Sequence, residues 1–189
     1  MKRLFIANRG EIAIRIAKTA HAMGIEVVGI YSEDDNASLH LRHSDHLVLL
    51  NGVGAKAYLD IEQVVQAAID SGADAVHPGY GFLSENPDFA RAVEEAGLIF
   101  VGPKPQSLER FGDKSAARQL AQQCDVPVLS GSDGAVSLEQ ATSFFGALSS
   151  GKAMIIKAVS GGGGRGMRIV RDAQDIEASF ERASSEAMA

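Results

Sequence analysis

The chain has 189 residues, 46% of them hydrophobic, which is enough for one full domain and part of a second. Its 24 acidic and 18 basic residues give a formal charge of −6, which argues against a general nucleic-acid or anionic-membrane binder, since both need a positive protein surface. No stretch approaches the ~20 apolar residues of a membrane span. The run Leu4–Ala7 is too short for a secretory core, and the single Cys124 cannot make an intrachain disulfide, so the reading is a soluble protein of the reducing cytoplasm.

In chain order, Leu4–Ala7 reads as a buried strand that turns at Asn8-Arg9-Gly10. Ile12, Ile16, Ala20 and Met23 then recur at helical spacing, and Gly24 ends that helix. Glu26–Tyr31 and Leu47–Leu50 are strands. Asp60-Ile61-Glu62-Gln63 caps a helix running to about Ser71-Gly72. Ala73–His77 predicts a strand, Pro87–Ala96 a helix and Leu98–Val101 a strand. Strands alternating with helices over residues 1–105 predict a parallel sheet wrapped by helices, with its ligand-facing loops at the strand ends.

Past Gly102-Pro103-Lys104-Pro105 the pattern changes. Short helices over Ser107–Phe111 and Lys114–Gln123 make residues 106–130 a helical linker. Residues 131–189 read as a smaller α+β unit: a capping box at Ser137-Leu138-Glu139-Gln140, a strand Met154–Ala158, a Gly-rich run, a strand Met167–Val170 and a helix from Asp172 onward.

Three segments could carry chemistry. The first is Lys157 followed by Gly161, Gly162, Gly163, Gly164, Arg165 and Gly166, where an unhindered backbone can point N–H groups at an anion and the lysine adds a charge for the same phosphates. The plain alternative is a flexible loop between two strands. No Gly-Lys-Ser/Thr follows, which excludes a Walker loop, and the first turn carries one glycine, which argues against a dinucleotide fold. The second is His77-Pro78-Gly79-Tyr80-Gly81-Phe82-Leu83-Ser84-Glu85-Asn86, at a strand end. Tyr80 and Phe82 there either offer flat surfaces to a ligand or sit buried in a rigid turn. The third is Lys114 at a helix start, which by itself is more often a solvated charge.

Phe5–Ala13, His77–Asn86, Gly112-Asp113-Lys114 and Ile155–Val170 together, in this order, resemble biotin carboxylase, the ATP-using part of the biotin-dependent carboxylases. The resemblance implies a Rossmann-like N-terminal domain (1–105), a helical linker (106–130) and an incomplete ATP-grasp lid (131–189). It also implies a reaction in which ATP and bicarbonate form carboxyphosphate, whose carboxyl group passes to biotin. By the same resemblance Lys114, Lys157, Gly161–Gly164, Arg165 and Gly166 bind ATP, while His77, Tyr80, Gly81, Phe82 and Glu85 lie toward biotin. Implied partners are a biotin carboxyl carrier and a carboxyltransferase, with a homodimer in the parent protein; Mg²⁺ or Mn²⁺ accompanies ATP.

The metal-binding glutamates and catalytic base of the family have no match in this chain, so no catalytic or metal-ligating residue is assigned. The expectation is an N-terminal fragment that does not turn over alone. Two other readings stay open: a different ATP-grasp ligase, which the long His77–Asn86 segment disfavours, and a non-catalytic nucleotide- or partner-binding module.

Overall fold

The two-residue period of a strand divides the apolar residues of the first strand, β1 (Arg3–Ile6), between two faces: Leu4 and Ile6 on one, Phe5 on the other. The computed structural model describes residues 1–132, 134–149, 151–158 and 166–187. They form two compact units, Met1–Asp113 and Lys114–Ala189.

In the first unit β1 is joined by β2 (Glu26–Ser32), β3 (His46–Leu50), β4 (Ala75–His77) and β5 (Ile99–Phe100) in a parallel sheet of order β3-β2-β1-β4-β5. Helix α1 (Gly10–Ala22) buries Ala13, Ile16, Ala17 and Ala20 against Leu4, Ile6, Val27 and Ala75. Helices α2 (Ile61–Asp70) and α3 (Pro87–Glu95) cover the other face, where Val64, Ala68, Phe89 and Val93 meet Phe5, Val28, Ile30 and Val76. Both faces are thus covered, as a parallel sheet requires. Two short 3₁₀ segments, Leu39–His43 and Gly54–Leu59, were not expected from the sequence.

Strand order decides where a ligand can sit. The chain lays β1, β2 and β3 toward one edge and then returns to place β4 on the other side of β1. The sheet order therefore reverses between β1 and β4, and in parallel sheets ligands usually sit at the carboxyl ends of the strands at such a reversal.

Helix α4 (Pro105–Gly112) closes the first unit, starting two residues before the predicted helix with Pro105 in its first turn. The second unit holds α5 (Lys114–Gln123), α6 (Leu138–Gly146), the antiparallel pair β6 (Met154–Lys157) and β7 (Met167–Val170), and α7 (Ile176–Ala187). The expected capping box at α6 is present: the Gln140 N–H donates to Ser137 Oγ at 3.2 Å, and the Ser137 N–H donates to Gln140 Oε1 at 2.8 Å. The expected last helix is preceded by a 3₁₀ turn, Ala173–Asp175. Met154 and Val170 face a core shared with Ala141 and Ile176, whereas Ile155, Met167 and Ile169 are exposed.

Candidate functional site

Asn8, two residues past the end of β1, is 2% exposed despite its polar side chain. Its amide nitrogen donates to the carbonyls of Pro78 at 2.7 Å and Tyr80 at 2.8 Å, and its Oδ1 accepts the Arg9 N–H at 2.9 Å. Three of its four hydrogen-bonding positions are therefore filled, and burial costs little. The β1 turn and the segment after β4 are thereby tied together.

His77, the last residue of β4, is half-buried. The Gly79 N–H donates to its Nδ1 at 3.0 Å, which places the ring proton on Nε2. Burial lowers its pKa below the usual 6.5. The unfolded chain therefore takes up this proton first as pH falls, so the contribution of the neutral ring is present above about pH 6.5 and is lost as acidity increases through the window below it. Relative to His77→Gln, the wild type is expected to lose urea-denaturation midpoint between about pH 7.5 and 5.5. A midpoint difference that does not change with pH would remove this role for His77.

The structure separates the two aromatic residues that the sequence left together. Tyr80 is 59% exposed, and its hydroxyl donates to the Glu11 carboxylate, which raises the phenol pKa. Phe82 is packed on the core and stacked on Tyr58, with ring centroids 5.2 Å apart. The Arg9 guanidinium lies 5.4 Å from the Tyr58 centroid and 5.8 Å from that of Phe82, within cation–π range. Gly81 and Glu85 are exposed on the same segment.

Asp35 anchors this group. It pairs with Arg9 at 3.3 Å and accepts hydrogen bonds from the Tyr58 hydroxyl at 2.8 Å and from Ser38. Burial alone would raise the Asp35 pKa, but the hydrogen bonds from Ser38, Tyr58 and Arg9 prevail and hold it below the ordinary carboxylate value. Burial, then the bond to Asp35, pushes the Tyr58 phenol up to about 12. Arg9, Asp35 and Tyr58 were not among the sequence-derived candidates. Their only signal is that Arg9 and Asp35 closely follow the ends of β1 and β2.

In the second unit Lys114 opens α5 and is exposed. Lys157 ends β6 opposite Met167 and is exposed on the strand-pair face that carries Ile155, Met167 and Ile169. A cation beside apolar surface suits a ligand with both a phosphate and a flat ring. Ala158 and Gly166 continue the pair, with the Ala158 N–H donating to Gly166 O at 2.9 Å. Gly166 has φ +69°, and a Cβ there would lie 2.7 Å from Ala158 Cβ. Gly161, Gly162, Gly163, Gly164 and Arg165 lie outside the described residues. Among the described residues no group of three or more His, Cys, Asp or Glu side chains could hold a metal ion, and no helix is long and apolar enough to cross a membrane.

Comparison with known proteins adds the family. The description "Biotin carboxylase, N-terminal domain" matches residues 1–108, and "Carbamoyl-phosphate synthase L chain, ATP binding domain" matches residues 113–189. The chain is 48% identical over 191 residues to the pyruvate carboxylase of Aspergillus niger, an alignment that takes in 98% of this chain and 16% of that protein. The biotin carboxylase–βγ-ATP complex from Campylobacter jejuni superposes with a TM-score of 0.93 at 41% identity, covering 99% of this chain and 42% of that one. A biotin carboxylase domain dimer of Hydrogenobacter thermophilus 2-oxoglutarate carboxylase, bound to MgADP, ADP and bicarbonate, gives a TM-score of 0.93 at 38% identity, covering 99% and 41%.

Proposed function

The chain belongs to the biotin carboxylase family by its N-terminal domain, and we propose that it forms the N-terminal portion of an ATP-dependent biotin carboxylase. In this reading ATP and bicarbonate give carboxyphosphate, and the carboxyl group passes to biotin on a carrier protein or domain. Residues 1–105 form the Rossmann-like domain, 106–130 the linker and 131–189 part of the ATP-grasp lid. Lys114, Lys157 and the glycine run, with Gly166 at its end, bind the phosphates. His77, Tyr80, Gly81, Phe82 and Glu85 belong to the biotin side, where Tyr80 is the ring free to touch a ligand.

The observation that carries this reading is the His77–Glu85 segment, held against the β1 turn where the sheet order reverses between β1 and β4. The chain spans about a sixth of the length of the pyruvate carboxylases it matches. The acceptor that receives the carboxyl group from biotin is chosen by a carboxyltransferase part, and Mg²⁺ accompanies the ATP.

The test is biotin-dependent ATP hydrolysis in the presence of bicarbonate, comparing residues 1–189 with the chain translated through its downstream reading frame. Turnover by the extended chain and none by 1–189 is the expected result. Turnover by purified 1–189 would contradict the division of labour. A folded but silent extended chain would overturn the proposed activity and favour another ATP-grasp ligase.

A further inference from the structure

The turn after β4 takes positive φ at Gly79 (66°), Gly81 (64°) and Phe82 (44°). The first two are permitted by glycine, but the third is unfavourable for a phenylalanine, so local preference does not select one shape. Something outside the turn must hold it.

We propose that Asn8 is a positioning residue for the ligand face of this turn. The proposal rests on the reading that His77–Glu85 faces biotin. Asn8 is suited to the task because a primary amide has two N–H donors about a single nitrogen, and here they go to two carbonyls two residues apart, Pro78 and Tyr80. Fixing both carbonyls fixes the Pro78–Gly79 and Tyr80–Gly81 peptides, which bracket Gly79 and Tyr80. The Gly79 N–H then points back to His77 Nδ1, leaving the Nε2 proton of His77 available to a ligand.

Phe82 anchors the far end. It stacks on Tyr58 while Arg9, adjacent to Asn8, covers both rings and pairs with Asp35. Phe82 is thus occupied by protein and acts on a ligand only through the shape of the turn. Tyr80 lies between the two anchors with its ring exposed and its hydroxyl directed to Glu11. The turn after β1 is a template against which the turn after β4 is cast, so binding a ligand does not also have to order the segment.

The first measurement is amide hydrogen exchange on residues 1–189. Asn8→Ala is expected to speed exchange at Gly79 and Ser84, whose N–H groups donate to His77 Nδ1 and Gly81 O, by about tenfold or more. Exchange at Val64 and Ile25, bonded within other elements, should stay unchanged. If Asn8→Ala does not fold, Asn8→Ser serves, since one O–H cannot bridge both carbonyls. The second measurement uses the chain extended through its downstream reading frame. There the same variant should raise KM for free biotin about tenfold and leave KM for ATP unchanged. Unaltered exchange at Gly79 and Ser84, or an equal rise of both KM values, overturns the positioning role. An extended wild type with no biotin-dependent turnover overturns the functional reading instead, while the exchange experiment still decides whether Asn8 holds the turn.

Discussion

Gly79→Ala is expected to destabilise the first unit by about 3 kcal/mol, the sum of a backbone cost and a steric one. Gly79 sits at φ +66°, where an L side chain costs about 1–2 kcal/mol. The added Cβ would also lie 2.7 Å from Asn8 Nδ2 and 3.0 Å from Asn8 Cγ. Asn8 is buried and cannot withdraw without giving up its bonds to Pro78 O and Tyr80 O, each worth roughly 1 kcal/mol. Gly81→Ala is the control: its φ is +64°, but a Cβ there meets nothing within 4 Å, so only the backbone cost of about 1 kcal/mol should appear. Urea denaturation followed by circular dichroism separates the two. Equal losses would mean that the contact with Asn8 yields at no cost, and the template would be softer than its hydrogen bonds indicate.

Much of the first unit was legible because its chemistry is local. Leu4 and Ile6 alternate with Phe5, and Ile12, Ile16 and Ala20 repeat at helical spacing, so both periods can be read off the chain without knowing what packs against what. The Asp60 cap was legible for the same reason: its side chain accepts the Gln63 N–H at 3.0 Å. The reciprocal bond of a capping box is absent there because Gln63 turns outward, accepting the Asn51 N–H and donating to Asn51 O. That choice depends on the end of β3, twelve residues away, and no local pattern encodes it. Strand order is of the same kind. Alternation of strands and helices predicts a parallel sheet, but whether β4 lands beside β1 or beside β3 depends on which apolar faces meet.

The site divides along the same line. His77 and Tyr80 stand out in the sequence because a Gly- and aromatic-rich segment after a strand end is unusual in itself. Arg9, Asp35 and Tyr58 belong to three separate connections and act only once the sheet brings them together, around a Phe82 ring that the sequence could equally have left exposed. Lys157 was legible from its neighbours in sequence. Its face was not, since the exposure of Ile155, Met167 and Ile169 follows from which side of β6 and β7 meets Ala141 and Ile176.

That face sets the second expectation. In the chain extended through its downstream reading frame, Lys157→Ala is expected to lower ATP hydrolysis by about a hundredfold or more, the usual cost of removing a preorganised charge from developing phosphate charge. Stability should hardly change, because Lys157 is exposed at the end of its strand and such surface substitutions usually stay within ~0.5 kcal/mol. Lys152→Ala, also exposed and two residues before β6, should leave both properties unchanged. Steady-state rates at varied ATP and biotin, with thermal melting of each variant, distinguish the cases. A rise in KM for ATP with unchanged KM for biotin places the Lys157 charge at the phosphates. A rate within about twofold of wild type would return Lys157 to an ordinary solvated cation, since a charge that meets the phosphates in the transition state cannot be removed at so small a cost.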